Sequence, residues 1–544
     1  MDEIIDLLFN NHLTMKIFFE KNKWEALGIF LFILVILSFF DKGLAMGFGL
    51  LFILSIISFF ILNKLGFKDL PAPAGLPDQS SQSGANAGGQ AGKKIHLLFL
   101  IVLAIHLATT LFMHYANFQP FAGGQGDELG YQRWAVEASE SFNQGIFSIK
   151  DIVTKYPDFY TGHYYPVIIG ALYALTMPEE IIGLMLNVWL VALTVIFVYL
   201  IILEIGGSKN NAFIIGLVVA LYPSYVFNSG LLLKDTLQIT FVILGLLFLI
   251  KTIKKFTRYN FLVLYLAIFC ATHFRFYIGY ALILTFLSSW FLFSNMGFKQ
   301  RIRYGIIFIV LLGFIPQLAF NQGYYGINSF WNFLNFEQFK YYRQMAWNPI
   351  YNTPIATTPA PTTPGATVPT ATVPTATVPT ATVPGATVPG ATVPTATVPT
   401  ATVSIPTTGF DSSFSVEAGF LGYAESFVYV LLGPFPLQIK YARQSLALIE
   451  TIPWYLLLFF IVDGIIIVFK KRVKGAMPLL IFSIIVMIVI AIFDKNFGLI
   501  VRIRIPVFIS LLCIASLSLR GTKYISFFEQ KILEIVSIKN NGKT

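Results

Sequence analysis

Long apolar runs recur along this 544-residue chain, separated by short polar segments. A helix rises about 1.5 Å per residue, so about 20 apolar residues cross the hydrocarbon core of a bilayer. The runs predict about twelve spanning helices: 24–41, 45–63, 95–115, 181–203, 212–229, 236–252, 260–272, 276–295, 303–320, 452–469, 476–493 and 505–519. Two further apolar stretches, 163–178 and 427–438, are short and contain Pro, so they are expected as re-entrant or juxtamembrane helices. The predicted fold class is all-α: a polytopic transmembrane helical bundle with one long outer loop.

Two tracts lack the apolar pattern. Residues 71–94 are rich in Pro, Ala, Gly, Ser and Gln, which predicts a flexible cytoplasmic linker. It would set residues 1–70 apart as a two-helix membrane appendage. Residues 366–403 repeat Ala-Thr-Val-Pro-Thr/Gly with a period of five. Pro at that spacing forbids helix and central strand, so the tract is expected to be an extended, disordered stalk within the loop 321–426. A Thr/Pro-rich stalk resembles O-glycosylated mucin-like segments, and a neutral repeat expansion in a tolerant loop is the plainer reading. The remaining units are a membrane core over 95–320 with an outer loop at 116–180, C-terminal membrane helices over 427–520, and a tail over 521–544.

Composition removes the soluble alternative. The chain is 56% hydrophobic and 12% charged, about half the charge of an ordinary soluble domain. Both cysteines, Cys270 and Cys513, lie in apolar runs, so neither a disulfide nor a thiolate metal site is expected. The net charge of +10 sits in short loops, which points to topology signals and not to nucleic acid. With the N-terminus cytoplasmic, three short inner loops carry eleven basic residues: Lys251, Lys254, Lys255, Arg258; Lys299, Arg301, Arg303; Lys470, Lys471, Arg472, Lys474. The acids Asp2, Glu3 and Asp6 precede any basic residue, unlike a secretory signal. The expected location is an integral multi-pass membrane, taken as a bacterial plasma membrane with the active site extracytoplasmic.

That orientation collects four polar groups on the outer face, where a membrane enzyme would carry its chemistry. Asp127-Glu128-Leu129-Gly130-Tyr131 follows the helix 95–115; adjacent carboxylates can bind a metal or take a proton from an acceptor hydroxyl, or can be two solvated acids. His163-Tyr164-Tyr165-Pro166 opens the first short stretch and also fits an interfacial aromatic belt. Tyr222-Pro223-Ser224-Tyr225 and Asn228-Ser229 precede Lys234-Asp235, a pair that could simply neutralise itself. Asn496-Phe497-Gly498 leads to Arg502-Ile503-Arg504-Ile505-Pro506, where two outer arginines run against the positive-inside trend. A guanidinium fork suits a phosphate. Arg275, beside His273 between two spans, could face the same ligand.

The order of these features resembles the GT-C polytopic glycosyltransferases. It is similar above all to the branch of protein O-mannosyltransferases, aminoarabinose transferases and Rgt-like lipopolysaccharide transferases. The Asp127-Glu128-x-x-Tyr131 opening, the Tyr164-Tyr165-Pro166 stretch through Leu175, and Arg502-x-Arg504-x-Pro506 carry the resemblance over roughly 95–520. The chain departs from that branch in its two extra N-terminal helices, in a repeat where the outer loop would hold a folded domain, and in a lone Pro166. The resemblance implies an inverting membrane glycosyltransferase that uses a polyprenyl-phosphate sugar. Asp127 and Glu128 would be catalytic, or metal-binding if a divalent ion takes part. Tyr131, His163, Tyr165, Lys234, Asp235, Arg275, Arg502 and Arg504 would bind substrate. The acceptor would be a glycan, lipid or protein. An O-antigen polymerase or ligase, using Arg343 and Arg443, is the enzymatic alternative; a lipid or sugar transporter is the alternative from another class.

Overall fold

The computed structural model describes residues 23–64, 84–118, 127–149, 151–152, 164–312, 420–433, 435, 442–493 and 497–519. The repeat, His163 and most of the long outer loop lie outside these residues. Among the described residues 87% are helical and none is in a strand. The helices are α1 (Lys23–Phe40), α2 (Lys42–Lys64), α3 (Gly84–Tyr115), α4 (Asp127–Asn143), α5 (Tyr164–Leu175), α6 (Glu180–Glu204), α7 (Lys209–Ala220) and α8 (Pro223–Ser229). They continue with α9 (Lys234–Lys254), α10 (Arg258–Phe274), α11 (Phe276–Phe293), α12 (Phe298–Leu311), α13 (Phe420–Leu432), α14 (Ala442–Lys470), α15 (Met477–Phe493) and α16 (Phe497–Ala515).

The expected runs fall on helices where they are described; residues 313–320 of the run 303–320 lie outside the described residues. Seven of the described helices are long and apolar enough to cross a membrane, or eight if the bent pair α7–α8 counts as one span. The run 212–229 is not a straight span: α7 and α8 meet at 60°. Pro223 sits at the first turn of α8, where its missing N–H costs nothing, and it forbids continuation of α7. Local caps start other helices: the side chains of Ser208 and Thr257 accept hydrogen bonds from the backbone N–H groups of Asn211 and Asn260, each at 3.1 Å.

α9 is the axle of the bundle, with 83% of its apolar window buried, whereas α14 has 22% of its window buried. Phe39, Phe40, Leu456 and Phe459 stand outward, as side chains facing lipid should. One large apolar core joins α3, α6, α7 and α9–α11 to α15 and α16. A smaller one lies under α4, α5 and the start of α9.

Local features of the polar segments differ from expectation. α3 begins at Gly84, inside the stretch read as linker. The second N-terminal helix also packs on the core. Gly43 and Gly47 bring α2 against α6, where a Cβ would stand 3.1 Å from Glu179 and 3.0 Å from Met185, and Trp189 donates to Ser58 Oγ at 2.7 Å. At the other face of the same end, Asp127–Glu128 opens a helix instead of sitting in a loop. Acidic residues favour a helix N-terminus, and Glu128, Tyr131, Ala135 and Ala138 form the buried stripe that α4 lays on α5. Gly170 permits this contact, because a Cβ there would lie 2.6 Å from the Cβ of Ala138 and 2.8 Å from the carbonyl of Ala135.

Candidate active site

The α-helical hairpins alternate in direction, so the starts of α4, α9, α11 and α16 gather at one end of the bundle. The opposite end carries the basic loops: Lys94 donates to Asn210 at 2.8 Å, Lys254 pairs with Glu204 at 3.1 Å, and Gly475 packs on Lys254.

At the first end Arg275 occupies the single extended residue between α10 and α11, with φ −148° and ψ 101°. This turns its side chain onto the start of α9. Its Nε donates to Asp235 Oδ1 at 2.9 Å, its Nη2 donates to the same oxygen, and its Nη1 donates to the Tyr277 hydroxyl at 2.7 Å. Asp235 is 3% exposed, so its charge is held by this pairing. The other Asp235 oxygen lies 3.9 Å from Arg502 Nη1, and that same nitrogen donates to Asp127 Oδ2 at 2.9 Å. One guanidinium therefore bridges the carboxylates of α9 and α4. The Lys234 ammonium, largely buried, lies within electrostatic reach of Arg275, Asp235, Asp127 and Arg502.

The members of this chain differ in access. The side chains of Asp127 and Arg502 are 63% and 26% exposed, against 4% for Asp235 and 9% for Arg275. A ligand arriving from the aqueous side meets Arg502 and Asp127. Glu128, next to Asp127, turns inward; its Oε1 is buried without a hydrogen-bond partner. Burial raises its carboxyl pKa from the ordinary value, while nearby Arg502 pulls the other way. Tyr131 lies below, edge-on to Tyr165 with ring centres 5.5 Å apart, and feels the charges of Asp235, Arg275, Asp127 and Arg502.

Asp127, Glu128, Tyr131, Lys234, Asp235, Arg275 and Arg502 are thus brought together. Tyr165 is fully buried, and its hydroxyl donates to Asn187 at 3.3 Å; it supports Tyr131 and does not face the open side. Arg504 stands apart from the group. It is 2% exposed, its Nη2 pairs with Glu450 at 3.0 Å, and its Nη1 donates to the carbonyls of Gly433 and Val430 at 2.7 and 3.2 Å. The reason is helical geometry: α16 starts at Phe497, not at 505, and two residues on a helix are about 200° apart. Glu450 and Tyr277 escaped the reading of the sequence. Glu450 accepts from Tyr222 at 2.5 Å and from Ser224, which gives the Tyr222-Pro223-Ser224 motif its partner. Among the described residues, no group of three His, Cys, Asp or Glu side chains is placed to hold a metal ion.

Residues 160–330 match the family model described as dolichyl-phosphate-mannose-protein mannosyltransferase, a family of the GT-C superfamily. No curated protein and no solved structure matches the chain. The match bears out the GT-C resemblance and, with the apolar helices, supports a glycosyltransferase and points to an integral multi-pass membrane protein. It spans α5–α12 and so includes Lys234, Asp235 and Arg275; Asp127 and Arg502 lie outside it.

Proposed function

We propose that this glycosyltransferase moves a sugar, mannose being the first candidate, from a polyprenyl-phosphate carrier to an acceptor hydroxyl on the extracytoplasmic face. The carrying observation is the Arg502 bridge between Asp127 and Asp235. A guanidinium held by one buried and one exposed carboxylate can release the exposed one to a better anion. The donor phosphate is that anion, bound bidentately and close to Arg275 and Lys234. The basic loops at the opposite end support the orientation through the positive-inside rule.

In this reading the acceptor oxygen attacks the anomeric carbon as the carbon–oxygen bond to the phosphate breaks. The bonding electrons leave with the phosphate, whose gain in charge Arg502 and Arg275 stabilise. Asp127, freed from Arg502, takes the acceptor proton. One displacement inverts the anomeric centre. Incubating the purified protein with a panel of radiolabelled polyprenyl-phosphate sugars and membrane acceptors tests the reading. Transfer that is lost in Asp127→Asn supports it; transfer from a nucleotide sugar alone refutes it.

A further inference from the structure

We propose that Glu450 is a positioning residue for the donor: by holding Arg504 it fixes the rotation of α16 that turns Arg502 toward Asp127 and Asp235. The inference rests on the proposed role of Arg502 in binding the carrier phosphate.

Arginine alternates with isoleucine in Arg502-Ile503-Arg504. On a helix these two arginines point about 200° apart, so whatever fixes one fixes the other. Arg504 is held through both terminal nitrogens and through its face. Its guanidinium pairs with Glu450 of α14, donates to the carbonyls of Val430 and Gly433 at the end of α13, and lies 4.8 Å above the ring of Phe508 one turn on. Phe508 in turn stacks on Trp454 of α14 with centres 3.7 Å apart, and Trp454 Nε1 donates to Leu431 O at 2.9 Å. Glu450 also receives the hydroxyls of Tyr222 and Ser224 from the break between α7 and α8.

Four elements, α8, α13, α14 and α16, thus meet on the buried Glu450–Arg504 pair. Glu450 and Arg504 are 3% and 2% exposed, so neither finds water as a substitute partner. Without Glu450 an uncompensated cation would remain in the bundle, and α16 could turn or slide to relieve it. Among the described residues Arg502 has no comparable clamp of its own; its ion-pair contacts there are the exposed Asp127 and the longer approach to Asp235.

The test uses the full chain in detergent and polyprenyl phosphate itself, the part common to every such donor. Glu450→Met/Arg504→Met removes both charges and keeps apolar volume, an exchange that buried ion pairs often tolerate. Tyr222→Phe removes only one hydroxyl from Glu450 and is the second, milder variant. Folding is checked by thermal unfolding and monodispersity. The expected result is a Kd for polyprenyl phosphate raised about tenfold or more in the pair variant and about threefold in Tyr222→Phe, with kcat at saturating donor within a few fold. The decisive arm repeats both in an Arg502→Ala background. If Glu450 acts through Arg502, no further loss appears there. An unchanged Kd in either folded variant, or a full additive loss without Arg502, overturns the proposal. If Arg502→Ala alone leaves the Kd unchanged, the site reading fails with it; if Arg502→Ala weakens binding and the Glu450 variants do not, only the positioning role fails.

Discussion

Replacing Asp127 by Asn separates two roles that a simple substrate contact would not separate. The Asp127–Arg502 pair is 2.9 Å long but lies at the open side, with the carboxylate 63% exposed. An ion pair so exposed is worth about 0.2–1 kcal/mol. A charge-assisted hydrogen bond to a phosphate is worth about 1.5–3 kcal/mol. Exchange of Asp127 for phosphate on Arg502 therefore favours the donor by about 0.5–2.8 kcal/mol, or roughly two- to a hundredfold in affinity. Asp127→Asn removes the competing anion, so polyprenyl phosphate should bind up to about fivefold more tightly. The same change removes the base, so kcat should fall about 10²–10⁴-fold. Binding is measured by titration of polyprenyl phosphate and rate by transfer at saturating donor. Weaker binding in Asp127→Asn would show that Asp127 helps to hold the donor, and would refute the exchange.

Arg502→Ala should weaken polyprenyl phosphate binding within the range just given, and Arg502→Lys should recover only part of it, because a point charge lacks the fork; full recovery by Lys would remove bidentate recognition. Glu128 has a raised folded-state pKa, so its contribution to stability is present below the unfolded value and lost as pH rises through the folded one. Glu128→Gln should accordingly match the wild-type unfolding midpoint below the ordinary glutamate pKa and exceed it as pH rises above that value; a difference that does not change with pH contradicts the shift. Gly170→Val should cost about 1–3 kcal/mol by forcing α4 off α5, and should depress transfer more than stability because α4 carries Asp127; activity that simply tracks the folded fraction would detach α4 from the site. A cysteine at position 124 should react with an impermeant reagent in intact cells and one at 256 only after lysis, with Cys270 and Cys513 replaced; the reverse pattern inverts the orientation.

The helices were legible because a bilayer sets a demand that composition must meet: each apolar run had to be helical, since backbone groups in lipid have no other partner. What a run does not disclose is where its helix begins. The last run looked like a span from 505, which left Arg502 and Arg504 together in a loop. Starting α16 at Phe497 puts them on opposite faces. The helix α4 was readable in principle, from two acids in its first turn and from buried positions 128, 131, 135 and 138, but its mean apolarity is too low to resemble a span. Glu450 was not readable at all. It sits just ahead of the apolar run from 452, like any acid at a membrane boundary, and its meaning comes from Tyr222 and Arg504, more than 50 residues away in either direction.

The two arginines of one short motif end in environments that suit opposite tasks. Both pair with a carboxylate at about 3 Å, but Arg504 and Glu450 are nearly closed to water while Arg502 and Asp127 are not. At equal distance, a charge pair in a protein medium of effective dielectric about 20 interacts about four times as strongly as one in water. The buried pair therefore cannot trade partners, and it serves as a fixed point for four helices. The exposed pair can trade at small cost, which a site must do if an anion is to enter. A motif with both arginines at the surface would bind phosphate without a fixed frame, and one with both buried would have a frame and no site. Spacing them two residues apart on a helix supplies one of each.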